Sequence, residues 1–337
     1  MSAAKKYLVT GGTGFIGSAL VRMLLEEGQQ VRVLDNNLRG SPERLSDKLS
    51  DIELIEADIR NADAVRNAVR GVDAVCHLAF INGTQYFYEL PELVLDVGVK
   101  GMCNVLDACI ENNVGELILA SSSEVYQHAN VIPTPETVPL IIPDPLNPRY
   151  SYAAGKIISE IMALNYSRKY FEKCIIFRPH NVYGPNMGWE HVIPQFVVRM
   201  KEACANTAKN EVVRFPIQGT GTETRAFNYI DDFIKGLSAL LKKGSNGEIY
   251  HIGTQEEVPI EDVVHLIADY FGRKVEIVPG AMAEGGTPRR CPDTTKLAAL
   301  GYAPSVPLAK GIQITAKWYD ENAHKQKSTI TTNLARR

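Results

Sequence analysis

The sequence predicts an α/β fold: a doubly wound parallel sheet with helices on both faces, followed by a smaller C-terminal α/β lobe. Short, nearly continuous apolar runs alternate with helical patterns along the first half, as in a parallel sheet that is buried on both sides. A glycine-rich turn at residues 10–17 joins the first strand to the first helix. After Gly184-Pro185 loops, prolines and glycines become more frequent, which indicates that a second part of the molecule begins there.

The elements of the first half follow from this alternation. Apolar runs predict five strands, at residues 7–10, 31–35, 52–55, 74–78 and 117–121. Helical patterns predict helices at residues 17–27, 62–69, 93–112 and 151–171, with a further strand at residues 174–178. Strands and helices in this order are typical of a Rossmann-type sheet.

The second half is expected to be divided between this sheet and the lobe. Strands near residues 227–229 and 249–252 are expected to return to the main sheet. The predicted division is a first domain of residues 1–183 and about 225–255, and a lobe of residues 184–224 and 256–321. A Gly- and Pro-rich stretch at 279–292 is expected to form a loop over a binding cleft, and residues 322–337 a polar tail.

Composition argues against several classes of function. The net charge is −3 and no dense Lys/Arg run occurs, which disfavours a nucleic-acid surface. No apolar stretch approaches the roughly 20 residues that span a bilayer, and the N-terminus lacks the apolar core of a signal peptide, so a cytoplasmic protein is expected. The six cysteines form no C-x-x-C pair, so we expect reduced thiols and no metal site.

The turn at residues 10–17 is expected to bind a dinucleotide. Gly11, Gly14 and Gly17 follow a strand and enter a helix, so the backbone can approach a pyrophosphate at the positive end of that helix. The same glycines could serve only to make a tight turn, so the turn alone is weak evidence.

NAD is predicted rather than NADP. Asp35, with Asn36 beside it, ends the second strand where a carboxylate would accept hydrogen bonds from a ribose diol and repel a 2′-phosphate. Asn36, Asn37 and Arg39 argue the other way, because Arg39 could reach such a phosphate. Asp58 and Ile59 follow the third strand and are expected to lie along the adenine edge.

Tyr152, Lys156 and Ser122 are the candidate catalytic residues. One helical turn separates Tyr152 from Lys156, so both side chains project from the same face of a helix. An ammonium beside a phenol favours the phenolate, and we therefore expect the pKa of Tyr152 to fall from about 10 toward the range in which tyrosine acts as a base. A nucleotide-binding turn together with an activated tyrosine predicts hydride transfer to and from an alcohol carbon.

The ordered motifs of the chain resemble those of the extended short-chain dehydrogenase/reductase family, specifically its NAD-dependent nucleotide-sugar epimerases, dehydratases and decarboxylases. The resemblance runs from residue 7 to about residue 311. The motifs that carry it are TGGTGFIG at residues 10–17, DIR at 58–60, HLA at 77–79, SSSEVY at 121–126, YAAGK at 152–156, RPHNVYGP at 178–185, TRAF at 224–227 and RCPD at 290–293.

The resemblance implies roles for particular residues. The first domain would bind NAD, and a nucleoside-diphosphate sugar would lie between it and the lobe. Tyr152 would take the proton of the sugar 4-hydroxyl while hydride leaves C4, Ser122 would share the hydrogen bond to the C4 oxygen, and Lys156 would also hold the nicotinamide ribose. Relatives pair the helices at 93–112 and 151–171 across a two-fold axis, so a homodimer is expected.

The implied contacts fall into two sets. The cofactor would contact Gly11, Gly14, Phe15, Ile16, Gly17, Asp35, Asn36, Asp58, Ile59, Leu78, Ala79, Tyr152 and Lys156. The substrate would contact Ser123, Asn181, His191, Arg225 and Arg290, although Arg225 and Arg290 could instead form surface salt bridges. The chain departs from the family pattern at three positions: Gly98 and His191 stand where asparagine is common, and Gln127 where glycine is common.

The residues leave the reaction open. Glu124 occupies the position at which dehydratases and uronate decarboxylases of the family carry a glutamate, and we expect its pKa to be raised by desolvation and by an anionic substrate. Ser123 replaces the acidic residue that hexose dehydratases carry before that glutamate. An epimerase is the leading hypothesis. A 4,6-dehydratase or a uronate decarboxylase that uses Glu124 at C5 is the alternative, and a 4-dehydrogenase or a non-catalytic NAD-sensing regulator ranks lower.

Overall fold

Seven parallel strands form the central sheet of the computed structural model, which describes residues 4–281 and 287–326. The strands of all sheets in the described residues, in chain order, are β1 Lys6–Thr10, β2 Gln30–Asp35, β3 Ile52–Glu56, β4 Ala74–His77, β5 Glu116–Ala120, β6 Lys173–Pro179, β7 Val182–Tyr183, β8 Val213–Pro216, β9 Thr224–Ala226, β10 Asn228–Tyr229, β11 Glu248–Ile252, β12 Glu257–Pro259, β13 Val275–Val278 and β14 Arg289–Arg290. The order across the main sheet is β11-β6-β5-β4-β1-β2-β3. The predicted α/β fold with a parallel Rossmann-type sheet is therefore confirmed.

Helices cover both faces of this sheet. They are α1 Phe15–Glu26, α2 Ala62–Val69, α3 Thr84–Glu89, α4 Pro91–Leu95, α5 Gly101–Glu111, α6 Ser151–Tyr170, α7 Val192–Ala205, α8 Ile230–Lys243, α9 Ile260–Tyr270, α10 Thr295–Ala298 and α11 Leu308–Asn322. Alternate strand residues enter two separate apolar clusters: Val9 packs in the cluster with α1 and α8, and Leu8 in the cluster with α2, α5 and α6.

The order in which the chain adds strands to the main sheet reverses at β1. The chain passes from β1 outward to β2 and β3, and then returns to the other side of β1 at β4. A crevice opens at such a reversal, outside the carboxyl ends of the strands, and ligands of doubly wound folds bind there. The glycine turn after β1, the end of β2 and the end of β5 all lie at this edge.

The second half builds three small sheets, of orders β10-β7, β12-β9-β14 and β13-β8. Among the described residues after β7, only β11 joins the main sheet, where it pairs with β6. The expectation that residues 227–229 also return to that sheet is wrong, because β10 is two residues long, pairs with β7 and leads directly into α8. The apolar cluster under α1 continues into this half through Phe196, Phe215 and Val263, and the division into two domains remains a prediction.

The helix predicted at residues 93–112 contains a π-helical turn. Asp96–Lys100 forms this turn between α4 and α5, with Gly98 at its centre. π-Helical turns inside helices are rare and are frequent at functional sites.

Two other expected segments are only partly described. Of the loop expected at 279–292, residues 282–286 lie outside the described residues, and Arg289–Arg290 form β14 against β9. Of the polar tail expected from 322, residues 323–325 form a 3₁₀ turn and residues 327–337 lie outside the described residues. Over the ranges 4–281 and 287–326, no helix has both the length and the apolarity to cross a membrane.

The two helices expected at a dimer interface, at residues 93–112 and 151–171, expose only part of their apolar residues. Val105 and Leu106 of α5 are fully buried within the chain. Ile158 and Ile161 of α6 are 40% and 55% exposed, so one apolar strip of α6 faces outward.

Candidate active site

A cavity of about 890 Å³ lies at the carboxyl edge of the main sheet. Nearly all of the predicted site residues line it: Gly11, Gly14, Phe15, Ile16, Gly17, Asp35, Asn36, Asp58, Ile59, Leu78, Ala79, Ser122, Ser123, Glu124, Tyr152, Lys156, Asn181, His191 and Arg290. Arg225 is not among its lining residues. We call the part around Gly11–Gly17, Asp35 and Asp58 the glycine end, and the part around Ser122, Glu124, Tyr152 and Lys156 the tyrosine end.

The turn at the glycine end requires its small residues. Gly11 has a φ of +74°, and a Cβ there would lie 2.8 Å from the backbone nitrogen of Ala79. A Cβ on Gly17 would lie 2.1 Å from the carbonyl oxygen of Gly11. No side chain caps the N-terminus of α1, so its first N–H groups, at Phe15 and Ile16, border the cavity without a capping partner. This arrangement fits a pyrophosphate at the positive end of α1.

Two carboxylates at the glycine end are fixed by hydrogen bonds. Asp35 Oδ2 accepts from the backbone N–H of Thr13 at 3.0 Å, and Oδ1 accepts from that of Asn37 at 2.9 Å. Asp58 forms an ion pair with Arg60 at 2.9 Å. Burial alone would raise the pKa of Asp58, but the hydrogen bonds from Arg60 and Asn36 outweigh it and lower the pKa to about 2. Asp58 is thus held ionised, and the Asp35 carboxyl group is fixed in place at the cavity, where the hydroxyls of a ribose and the edge of an adenine would need acceptors.

Tyr152 and Lys156 lie in the first two turns of α6, and Ser122 follows β5. The Lys156 ammonium donates to the carbonyl oxygen of Ala120 at 2.6 Å and lies 5.9 Å from the centroid of the Tyr152 ring. Ser122 Oγ accepts the backbone N–H of Glu124 at 3.1 Å, and the Ser122 side chain also forms a hydrogen bond with the Tyr152 side chain. The structure brings together the three residues that the sequence predicted as a unit.

The charge states at the tyrosine end differ from the expectation. Burial raises the pKa of Tyr152 above its usual value, with Ser122 acting against this and Glu124 adding to it. Burial also lowers the pKa of Lys156 to about 7, with Glu160 acting in the opposite direction. The expectation of a lowered tyrosine pKa is therefore wrong for the protein alone, because desolvation disfavours the charged form of each group.

Glu124 and Arg290 form an ion pair at the tyrosine end. Arg290 Nη1 donates to Glu124 Oε1 at 2.5 Å, and Arg290 also contacts the Thr287 hydroxyl. Burial alone would raise the pKa of Glu124, but the nearby guanidinium groups of Arg290, Arg149 and Arg225 outweigh it, so the pKa is lowered. For the protein alone the expectation of a raised pKa is therefore wrong, because the sequence could not place these arginines beside Glu124; the effect of an anionic substrate remains a prediction.

The predicted substrate residues differ in what they contact. Arg225 donates to the carbonyl oxygens of Thr224 and Thr287, each at 2.7 Å, so it braces the segment before β14 rather than lining the cavity or forming a surface salt bridge. Asn181 lines the cavity and donates to the carbonyl oxygen of Ala226. His191 also lines the cavity, and burial lowers its pKa to about 4, so it is neutral at pH 7.

Several cavity residues had no role assigned from the sequence, and four of them make contacts that shape the site. Phe87 stacks on the Tyr152 ring at 4.8 Å, and Phe80 meets the same ring edge-on at 5.1 Å. Arg44 donates to the carbonyl oxygen of Thr13 at 3.0 Å, which supports the glycine turn from outside. Glu190 pairs with Arg39 at 3.3 Å, so Arg39 has a carboxylate partner at the cavity. Each contact joins segments far apart in the chain, so no local pattern indicated it.

A buried polar cluster supports the tyrosine end from behind. Arg178 and Glu160, each with a side chain only 2% exposed, form a bidentate pair with N–O distances of 2.8 and 2.6 Å. Glu160 also accepts from the Ser121 hydroxyl, and Arg178 contacts the Tyr126 hydroxyl. The cluster therefore ties α6, the end of β5, β6 and the 3₁₀ turn that carries Glu124 to one another.

Comparisons with known proteins agree with this geometry. A model of the NAD dependent epimerase/dehydratase family matches residues 7–253. Over 320 residues the chain is 31% identical to a protein named putative UDP-glucose 4-epimerase from Methanocaldococcus jannaschii, covering 94% of this chain and 98% of that one. Over 329 residues it is 29% identical to the UDP-N-acetyl-alpha-D-glucosaminuronate decarboxylase of Bacillus cytotoxicus, covering 94% and 98%.

A solved structure shows the same fold. The crystal structure of a double mutant of dTDP-glucose 4,6-dehydratase from Streptomyces venezuelae, with NAD bound, is 31% identical and has a TM-score of 0.82. The match covers 95% of this chain and 98% of that chain. Relatives with three different activities thus resemble this chain to similar degrees.

Proposed function

The chain belongs to the NAD dependent epimerase/dehydratase family, and we propose that it is a nucleotide-sugar epimerase that acts through a transient 4-keto sugar. The family is NAD-dependent, so the chain is an enzyme with NAD as its cofactor. One observation carries the choice of reaction. Tyr152, Ser122 and Lys156 together supply the groups that oxidation and reduction at C4 need, whereas Glu124, the candidate base at C5, is held in an ion pair with Arg290.

The glycine end would hold the cofactor, and the tyrosine end would hold the sugar. The N-terminus of α1 would bind the pyrophosphate, and Asp35 the adenosine ribose. When bound, NAD would supply the acceptor and later the donor of the hydride exchanged with C4 of the sugar.

Tyr152 and Ser122 would act on the oxygen at C4. As the phenolate, Tyr152 takes the proton of the 4-hydroxyl and later returns it, and the Ser122 hydroxyl, which the structure places within hydrogen-bonding reach of Tyr152, holds the same oxygen while its negative charge develops. Tyr152 lies in the first turn of α6, where the helix dipole favours an anion. Lys156, held to the Ala120 carbonyl, adds a positive charge on the same helix face.

Chemistry at C5 has weaker support. Elimination of the 6-hydroxyl needs a base at C5 and an acid at the leaving oxygen. Glu124 is a weakened base, because Arg290 lowers its pKa. Ser123 stands where an acid would be needed, and it is 5% exposed. A 4,6-dehydratase therefore ranks below the epimerase.

A uronate decarboxylase is the second candidate, and the three arginines near Glu124 favour it. Arg290 lines the cavity, and Arg149 and Arg225 add positive charge near Glu124 although neither of them lines it. Together the three carry more positive charge than Glu124 offsets, and this suits a substrate carboxylate as well as a diphosphate. A 4-keto uronate is a β-keto acid and loses carbon dioxide without a base at C5. The same Tyr152 chemistry would then suffice.

Incubation with a panel of UDP-, GDP-, dTDP- and CDP-hexoses and uronates in deuterium oxide would test the proposal. An epimerase at C4 gives a product of unchanged mass, identified by NMR, with no deuterium on carbon and with Glu124→Gln turnover reduced only about fivefold, the value of one hydrogen bond. Loss of water together with deuterium at C5 would replace the epimerase with a dehydratase. Loss of carbon dioxide would select the decarboxylase.

We also propose that two copies of the chain associate through the exposed apolar strip of α6. Ile158 and Ile161 would then be covered in an isologous interface.

A further inference from the structure

The Phe80 ring lies beside the ammonium group of Lys156. It follows β4, lines the cavity, and lies with its face toward the Lys156 ammonium, 4.2 Å from the ring centroid. Its edge contacts the Tyr152 ring, at a centroid distance of 5.1 Å and an angle of 82°. One aromatic ring thus contacts both residues to which the proposed function assigns the proton chemistry.

Two glycines make room for this ring. A Cβ added to Gly98 would lie 2.2 Å from Cζ of Phe80, and one added to Gly155 would lie 2.9 Å from the same atom. Gly98 lies in the π-helical turn Asp96–Lys100, and Gly155 lies on α6 between Tyr152 and Lys156. The absence of a side chain at Gly98, which departs from the asparagine common in the family, is therefore matched by a large side chain at Phe80.

Lys156 has few other partners for its charge. Glu160, one turn further along α6, already forms a bidentate pair with Arg178 of β6. His77 of β4 is neutral, because burial lowers its pKa to about 3, and Tyr152 on α6 is neutral because burial raises its pKa. Within residues 4–281 and 287–326, no carboxylate lies at salt-bridge distance from the Lys156 ammonium.

We propose that Phe80 is a positioning residue of the active site: its ring fills the space beside Gly98 and Gly155 and holds the charged Lys156 ammonium next to Tyr152. The attraction between a cation and the face of an aromatic ring is strongest in a desolvated site such as this one. This role in catalysis rests on the proposed function, but the contact itself does not.

NMR titration of the purified full-length protein would test the contact without any substrate. In protein labelled with ¹³C-lysine, the Lys156 resonance is identified by its loss in Lys156→Met. Phe80→Leu keeps an apolar group of similar volume but removes the aromatic face. We expect the Lys156 titration midpoint in Phe80→Leu to fall by about one pH unit.

Gly98→Ala is a second and independent variant. Its new methyl group would collide with the Phe80 ring, so the ring must leave its place. We expect the midpoint to fall in Gly98→Ala as well, and no additional fall when Gly98→Ala is combined with Phe80→Leu, because both changes remove the same contact.

Phe87→Leu is the matched control. Phe87 stacks on Tyr152 but has no ring contact with Lys156, so this change should leave the Lys156 midpoint unchanged. An unchanged or higher midpoint in folded Phe80→Leu or Gly98→Ala would overturn the proposal. If no nucleotide sugar is turned over, the proposed function fails, and the titration still decides the role of Phe80. If turnover is found, its pH profile in Phe80→Leu should shift in the same direction as the midpoint.

Discussion

The carboxylates of the glycine end and the Tyr152–Lys156 pair of the tyrosine end are held in opposite ways. At the glycine end the carboxylates are satisfied: Asp35 accepts two backbone N–H groups, and Asp58 is paired with Arg60. At the tyrosine end burial moves the pKa values of Tyr152 and Lys156 toward their neutral forms. The glycine end thus presents carboxylates that are already fixed, whereas at the tyrosine end burial disfavours the charged forms of Tyr152 and Lys156.

This difference has an energetic consequence. Hydrogen bonds to an ionised carboxylate stabilise the fold, so the glycine end contributes to stability and to binding together. A buried ammonium without a carboxylate partner costs stability, so the protein should gain stability when Lys156 is replaced by an apolar residue. Substitutions of Lys156 and of Asp35 should therefore change stability in opposite directions.

The largest effect is expected at Tyr152. Tyr152→Phe removes the proton-transfer group and should lower turnover by about 10²–10⁴-fold. The fold and NAD binding should be preserved, because the phenyl ring still packs between Phe80 and Phe87. Steady-state kinetics, thermal unfolding and a binding titration with NAD would measure the three quantities. Tyr170→Phe, at the exposed end of the same helix, should leave turnover unchanged, and wild-type turnover in Tyr152→Phe would rule out the mechanism.

The sequence predicted the glycine end more fully than the tyrosine end. Gly11, Gly14 and Gly17 lie within one turn, and Asp35 ends a strand, so local patterns were enough to place them. Tyr152 and Lys156 were found for the same reason, since one helical turn separates them.

Contacts between distant segments could not be predicted. Glu124 and Arg290 are 166 residues apart, and their pairing reverses the expected direction of the pKa of Glu124. The place of Phe80 depends on a π-helical turn that no periodicity indicated. The sequence thus identified the candidate catalytic residues, whereas their charge states depend on neighbours that only the fold supplies.

A change in stability is expected at Lys156. Its pKa falls from 10.5 to about 7 on folding, so below pH 7 the ammonium is charged in both states and its full burial cost is present. As the pH rises from 7 toward 10.5 the folded protein loses this proton first, and the cost disappears. Lys156→Met should therefore be more stable than the wild type, by on the order of 3–5 kcal/mol at pH 6, and the difference should shrink toward pH 10.

Chemical denaturation of both proteins at several pH values would measure this difference. Lys169→Met, at the exposed end of the same helix, should show no comparable pH-dependent gain. A Lys156→Met variant that is less stable than the wild type at pH 6 would mean that the ammonium is well solvated or paired, and the contrast between the two ends would be lost.

The smallest effect is expected at Asp35, where substitution should lower stability, whereas substitution of Lys156 should raise it. Asp35→Ala leaves the backbone N–H groups of Thr13 and Asn37 without their acceptor and should lower the free energy of unfolding by about 1–3 kcal/mol. It also removes the charge that repels a 2′-phosphate, so the preference for NAD over NADP should relax.

Asp35→Asn separates the two effects, because its amide oxygen still accepts one hydrogen bond but carries no charge. We expect Asp35→Asn to retain most of the stability and to lose the cofactor preference as Asp35→Ala does, as measured by denaturation and by binding titrations with both dinucleotides. If both variants still strongly preferred NAD, another feature of the glycine end, such as the Arg39–Glu190 pair, would have to exclude the 2′-phosphate.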